Sequence, residues 1–211
     1  MILETLVVGY LDTNCYVIED ESTKEAIVID PAGDEEEILS LIKNRGLTVK
    51  YIIMTHGHWD HLLGVHKIAR ETKAKVCIHE ADKFMLDERD LTPTVPPFLL
   101  DEFPKEKLVV DIELLDGQVM SAGSVLANII HTPGHSPGSV SIHIDDCIFT
   151  GDLLFKGSIG RTDLTGGSFE TLINSVRTKI FCFDDEVKVY PGHGPSTTVG
   201  EERATNPFFT L

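Results

Sequence analysis

Three histidines and an aspartate crowd into six residues at the end of an apolar run, where Tyr51–Met54 leads straight into Thr55-His56-Gly57-His58-Trp59-Asp60-His61. No other stretch of the chain constrains its folding as much. In extended backbone His56 and His58 project the same way, so two imidazoles aim at one ion. Asp60 and His61 follow where the chain bends toward the next helix, and there they can face a second ion close to the first. Imidazole and carboxylate without cysteine suit zinc, iron or manganese, and the set offers more N and O ligands than one closed structural zinc site takes.

Three further pieces repeat the arrangement. Thr132-Pro133-Gly134-His135-Ser136-Pro137-Gly138-Ser139 follows the apolar run Val125–Ile130, Thr150-Gly151-Asp152 follows Cys147–Phe149, and Tyr190-Pro191-Gly192-His193-Gly194 follows Val187–Val189. Each puts a ligand-type side chain at a strand end beside glycine, where the backbone turns tightly and the side chain can reach a common pocket. Taken alone, each is an ordinary turn. Together with the histidine cluster they make seven candidate ligands: His56, His58, Asp60, His61, His135, Asp152 and His193. The remaining histidines read differently. His143 lies on the polar face of an alternating strand, His131 at a strand end, and His66 and His79 in no motif. Trp59 reads as a packing residue rather than a pocket floor.

Around these motifs the chain reads as strands with helices between them. Leu3–Val8, Cys15–Glu19 and Ala26–Ile29 form an opening antiparallel meander, broken by Asp30-Pro31-Ala32-Gly33. A helix follows with Asp34 as N-cap, Glu35–Glu37 at its positive end and Gly46 as its stop. Leu62–Glu71 reads as helix, Lys75–Ile78 as strand and Glu80–Asp87 as a short helix. Ser139–Ile144 alternates strictly, and Ser168 caps a helix whose inner face is Phe169, Leu172, Ile173, Val176 and Ile180. This order fits an α/β chain of α+β type: an αββα sandwich of two mixed β-sheets flanked by helices, rather than an alternating βαβ wheel. With 211 residues and no linker or internal repeat, one domain over 1–211 is expected. It carries a proline-rich insertion at about 88–108, with Pro93, Pro96, Pro97 and Pro104, that could be a lid, a dimer contact or a structured insertion.

Charge and cysteine usage narrow the partners. Eighteen Lys and Arg against 34 Asp and Glu give a net charge of −16, which repels phosphate backbones and anionic membrane surfaces. No nucleic-acid or membrane partner is expected. The apolar runs fall far short of the ~20 residues of a spanning helix. The amino terminus lacks the basic stretch of a secretory signal. Cys15, Cys77, Cys147 and Cys182 are far apart and read as four buried, reduced thiols. The expectation is a cytoplasmic protein.

THGHWDH, TPGHSPGS, GD and PGHG, in this order, resemble the metallo-β-lactamase superfamily. The stretch Gly151–Asp163, the early Asn14-Cys15-Tyr16 and the late Gly200-Glu201-Glu202-Arg203 and Asn206-Pro207-Phe208 are similar to the compact single-domain branch of glyoxalase II-like hydrolases. The resemblance implies the metallo-β-lactamase fold and two divalent metal ions, zinc before iron or manganese. It assigns His56, His58 and His135 to the first ion, Asp60, His61 and His193 to the second, and Asp152 to both. It further implies hydrolysis by a metal-bridging hydroxide that Asp60 orients, since two cations pull the pKa of a bound water toward neutrality. A thioester such as S-lactoylglutathione is the expected substrate, because its thiolate leaving group has a pKa near ~8.5 and needs little acid help.

Arg161 stands nine positions past Asp152, where larger glyoxalase II enzymes place a basic residue on glutathione. It is the candidate substrate-binding residue, with an ion pair to Asp163 as the structural alternative. Two tyrosines of those enzymes are replaced by Asp163 and Pro195, and only Gly194–Leu211 stands where they carry a helical domain. These departures weigh against tight glutathione binding. Two other activities fit the same motifs: a persulfide dioxygenase with one iron on His56, His135 and Asp152, and a hydrolase of another small ester or lactone.

Overall fold

A computed structural model describes residues 1–86, 95 and 108–210. The proline-rich insertion expected at about 88–108 lies outside the described residues, apart from Val95 and Leu108. The chain divides into two compact units. One is built from Met1–Leu114 and Ser121–Val125, the other from Leu115–Met120 and Leu126–Leu211.

The first unit carries a six-stranded sheet in sequential order. β1 (Ile2–Val8), β2 (Thr13–Glu19) and β3 (Glu25–Ile29) form the antiparallel meander read from the sequence. From β3 onward the pairing turns parallel through β4 (Thr48–Ile53), β5 (Lys75–His79) and β6 (Ile112–Leu114). The parallel steps need crossovers, supplied by α1 (Glu35–Arg45) between β3 and β4 and α2 (Val65–Thr72) between β4 and β5. Ile38 and Ile42 of α1 and Val65 and Ile68 of α2 pack on Val17, Val28, Ile52, Val76 and Ile78 of the sheet. The alternate residues Ile18, Ile27, Ile29, Ile53 and Cys77 are buried as well. A strand buried on both faces reads as a continuous apolar run without alternation, which is why these strands stand out in the sequence.

The second unit holds a six-stranded sheet of order β14-β13-β10-β9-β8-β7. Its strands are β7 (Val119–Ala122), β8 (Val125–His131), β9 (Val140–Ile144), β10 (Cys147–Gly151), β13 (Lys188–Pro191) and β14 (Thr197–Thr198). β11 (Leu154–Phe155) and β12 (Ser158–Ile159) make a separate two-stranded hairpin. β10 runs parallel to β13, whereas β8–β9, β9–β10 and β13–β14 pair antiparallel. α3 (Phe169–Ser175) runs on through a π turn to Ile180. Leu172, Val176 and Ile180 pack against Ile148 and Val189 of the sheet and Val199 of α4 (Val199–Thr205). Both sheets are mixed and both carry helices. No helix among the described residues is long and apolar enough to cross a membrane.

Several local expectations change. Asp34 does precede α1, but in left-handed backbone at φ 46, and its side chain caps nothing in the helix. Its carboxylate instead accepts the Gly9 N–H at 2.8 Å. The second helix begins at Val65, three residues later than the spacing predicts, because Trp59–His61 forms a separate 3-10 turn. Phe169 is 53% exposed and does not belong to the inner face of α3, whereas Ser168 does cap that helix, accepting the Thr171 N–H. Ser141, on the polar side of the alternating strand, is fully buried and shares a 3.0 Å hydrogen bond with the Thr132 hydroxyl. Cys182 is exposed, so three of the four thiols are buried, not four.

One buried carboxylate in the first unit gives a pH-dependent stability. Glu19 accepts hydrogen bonds from Lys24 at 2.6 Å and Arg45 at 2.7 Å. The Lys24 contact, ahead of Arg45, holds its pKa below the ordinary glutamate value near 4.5. A lowered folded pKa stabilises above the unfolded value and is lost as pH falls through the folded one. Glu19→Gln is therefore expected to lower the urea midpoint at pH 7 and to make little difference once the pH is well under 4.5. A wild-type to variant gap that stays constant down to acid pH would contradict this.

Candidate functional site

In the first unit the loop that carries the candidate ligands grows from the carboxyl end of β4. The parallel pairing of β3 and β4 sets Ile29 opposite Ile53, so Asp30 and Thr55 emerge side by side on one edge. Asp30 takes the Thr55 N–H at 2.7 Å and the Thr55 hydroxyl at 2.6 Å. It also accepts from His61 Nδ1 at 2.9 Å. Next in the chain, His56 Nδ1 lies 3.0 Å from Thr55 Oγ1. Asp82 accepts the Gly57 N–H at 3.0 Å, and the Thr13 hydroxyl donates to the Asp60 carbonyl at 2.9 Å. The result is a tight group: the His56 ring centroid is 4.8 Å from that of His58 and 4.2 Å from that of His61. Asp60 Oδ2 is 3.8 Å from His61 Nε2. Trp59 is buried and packs with Val95 and Leu63, the packing role read from the sequence.

The second unit gathers its three candidates by the same logic. Parallel β10 and β13 place Gly151 opposite Pro191, and the Gly192 N–H donates to the Gly151 carbonyl at 2.8 Å. Asp152 and His193 thereby leave the sheet together. His135 rides on the loop between β8 and β9, closed by the Thr132 N–H on the Ser139 carbonyl. Gly134 adopts φ +141, and a Cβ there would lie 2.3 Å from the Leu172 backbone, so only glycine lets this loop seat against α3. His131 Nε2 donates to the Pro137 carbonyl at 2.9 Å and ties the same loop, a structural role. Asp152 Oδ2 is 3.6 Å from His135 Nε2 and 3.7 Å from His193 Nε2.

The donors fit a metal. His135 Nδ1 faces the Arg161 carbonyl at 2.8 Å. A carbonyl only accepts, so Nδ1 carries the proton and Nε2 presents a lone pair. His61 is fixed the same way by the Asp30 carboxylate. The Nε2 atoms of His61 and His135 then face carboxylate oxygens at 3.8 and 3.6 Å, beyond hydrogen-bond reach and lone pair against lone pair. Two ligands of one zinc at ~2.0–2.1 Å stand roughly 3.3–3.4 Å apart at a tetrahedral angle, so these separations suit groups that share an ion. The thiols take no part. Burial pushes the Cys77 thiol up to about 12 and Cys147 up to about 11, and burial followed by the charge of Asp30 raises Cys15.

Arg161 holds Asp163 in a bidentate pair at 2.8 Å for both bonds, on an exposed stretch. The guanidinium keeps the Asp163 carboxyl near 2. Its main chain does separate work, orienting His135. Asp30, Thr55 and Asp82 are site residues that the sequence does not announce. They carry no ligand spacing, and only the parallel pairing of β3 and β4 and the fold of the 80–86 turn bring them to the histidines.

The family described as "Metallo-beta-lactamase superfamily" matches residues 8–193. A Haemophilus influenzae protein named hydroxyacylglutathione hydrolase GloC is 34% identical over 99% of this chain and 98% of its own. Among solved structures, the BLEG-1 B3 metallo-β-lactamase aligns over 100% of both chains at TM-score 0.91 and 34% identity. A di-iron form of TTHA1623 aligns over 97% of this chain and 99% of its own, at TM-score 0.84 and 33% identity. These matches share one fold, of two mixed sheets flanked by helices, that of the metallo-β-lactamases.

Proposed function

The chain belongs to the metallo-β-lactamase superfamily of metal-dependent hydrolases, and on that premise we propose that it hydrolyses thioesters of the glyoxalase II type at a dinuclear centre. The observation that carries the reading is the donor set: His56, His58, Asp60 and His61 from one unit and His135, Asp152 and His193 from the other. We assign His56, His58 and His135 to one ion, Asp60, His61 and His193 to a second, and Asp152 to both. When bound, two divalent cations, zinc before iron or manganese, supply a water ionised near neutral pH and a Lewis acid for the carbonyl. Asp60 would help hold the ion and orient the nucleophile. The Asp30 and Arg161 contacts keep the histidine lone pairs aimed. Thioesters suit a site that shows no obvious general acid among the described residues, because a thiolate needs little acid help to leave. The end-to-end similarity to the Haemophilus influenzae hydrolase supports the same substrate class. Four free cysteines support a reducing, cytoplasmic setting.

Metal analysis of the purified protein, with a thioester assay in air and under nitrogen, tests the proposal. The expected result is two metal equivalents per chain, turnover indifferent to oxygen, and loss of turnover in His135→Ala with the fold retained. One iron with oxygen uptake on a persulfide would instead make it an oxidoreductase. Normal turnover by His135→Ala would overturn the site.

For Arg161 we propose contact with a carboxylate on the thiol part of the substrate, made at the expense of its pair with Asp163. Arg161→Ala is expected to raise KM about tenfold or more with kcat nearly unchanged, the signature of lost ground-state binding. An unchanged KM would leave Arg161 with the Asp163 pair alone.

A further inference from the structure

Asp30 is 1% exposed and lies one residue past β3 in left-handed backbone at φ 48, anchored by its own N–H on the Ile53 carbonyl at 3.1 Å. Its two oxygens accept three hydrogen bonds, from the Thr55 amide, the Thr55 hydroxyl and His61 Nδ1. A carboxylate only accepts, so the Thr55 hydroxyl proton is committed to it. Thr55 Oγ1 can then meet His56 Nδ1 only as acceptor, at 3.0 Å. One buried charge therefore dictates the protonated nitrogen of two rings, His61 directly and His56 through a single hydroxyl.

We propose that Asp30 is a positioning residue that locks His56 and His61 together in the Nδ1–H form, so that both Nε2 lone pairs are set before any ion arrives. The inference rests on the metal-centre reading above, in which these histidines serve different ions. Asp30 is then a group outside the ligand set whose loss weakens both metal positions. His135, held by the Arg161 carbonyl, does not depend on it.

Asparagine cannot replace it. With its oxygen toward His61 and the Thr55 hydroxyl, its NH2 group faces the Thr55 N–H, donor against donor. Turned over, the NH2 faces His61 Nδ1 and drives that ring to the Nε2–H form, which has no lone pair left for a ligand bond.

The test uses Asp30→Asn and Thr55→Val in the full chain. Zinc affinity is read by chelator competition, and ring tautomers by long-range proton–nitrogen NMR on chelator-stripped protein at about pH 8.5. Wild type is expected to show Nδ1–H at His56 and His61. Asp30→Asn is expected to weaken zinc about 10–100-fold at both positions and to shift His61 toward Nε2–H. Thr55→Val is expected to weaken one position only, releasing the His56 tautomer and leaving that of His61 unchanged.

Nε2–H at either ring in wild type would overturn the proposal. So would wild-type affinity and tautomers in the variants. If Asp30→Asn does not fold, Thr55→Val decides through the contrast between the two rings. Failure of wild type to bind zinc, iron or manganese would sink the metal-centre reading instead, while the tautomer spectra would still decide the role of Asp30.

Discussion

Replacing Gly160 with alanine is expected to weaken metal binding at the proposed ligands His135 and Asp152. A Cβ at position 160 would lie 1.7 Å from the Asp152 carbonyl oxygen and 3.2 Å from His135 Nδ1. The first distance is about half of a van der Waals contact, and its partner is backbone, so the chain must move. The movement reaches both ligands at once: the Asp152 main chain recoils, and the Arg161 carbonyl that fixes His135 is the next residue along. Overpacking of this kind costs about 1–3 kcal/mol, or roughly 2–12 °C in melting temperature for a chain of this size. Metal affinity is expected to fall ~10–100-fold, the usual cost of disturbing a ligand's orienting contacts.

Gly157→Ala is the control. Nothing lies within 4 Å of its added Cβ, and its φ of +68 alone is unfavourable, at about 1–2 kcal/mol. Both variants should melt early in calorimetry, and only Gly160→Ala should lose zinc in a chelator competition. Equal zinc affinity in the two would mean that the β11–β12 hairpin yields without moving His135 or Asp152.

These two glycines illustrate what the sequence discloses and what it hides. Each ligand motif is legible because a strand signal ends in a glycine turn beside a histidine or aspartate, and the structure keeps every one of those strands. The parallel pairings are not legible. β3 beside β4 and β10 beside β13 join segments far apart in the chain, and nothing in Asp30-Pro31-Ala32-Gly33 says that its aspartate will meet Thr55 and His61. The short strands β6, β7, β11, β12 and β14 escape for a different reason. With two to four residues each, they are too brief to show a period. Asp34 and Phe169 show the limit of local rules. A good capping residue gave its carboxylate to Gly9, and an apolar residue at an inner helical spacing faces out because the helix has only just begun there.

Stripping the metals is expected to lower the melting temperature by roughly 8–16 °C for each ion removed. The folded chain holds Asp60 and Asp152 at 12% side-chain exposure beside imidazole lone pairs, an arrangement that cations stabilise and that repels itself without them. A ligand that binds only the folded state, at a thousand times its dissociation constant, contributes about 4.1 kcal/mol, and each kcal/mol is worth ~2–4 °C at this size. Calorimetry before and after chelation, with recovery on adding zinc, measures the effect. Asp152→Asn separates its two causes. Without the buried negative charge the stripped variant should melt above stripped wild type, yet it should gain much less on adding zinc, so the order of the two proteins reverses between the metal-free and metal-loaded states. Identical melting of wild type before and after complete chelation would mean that no ion is held by these side chains in the folded protein.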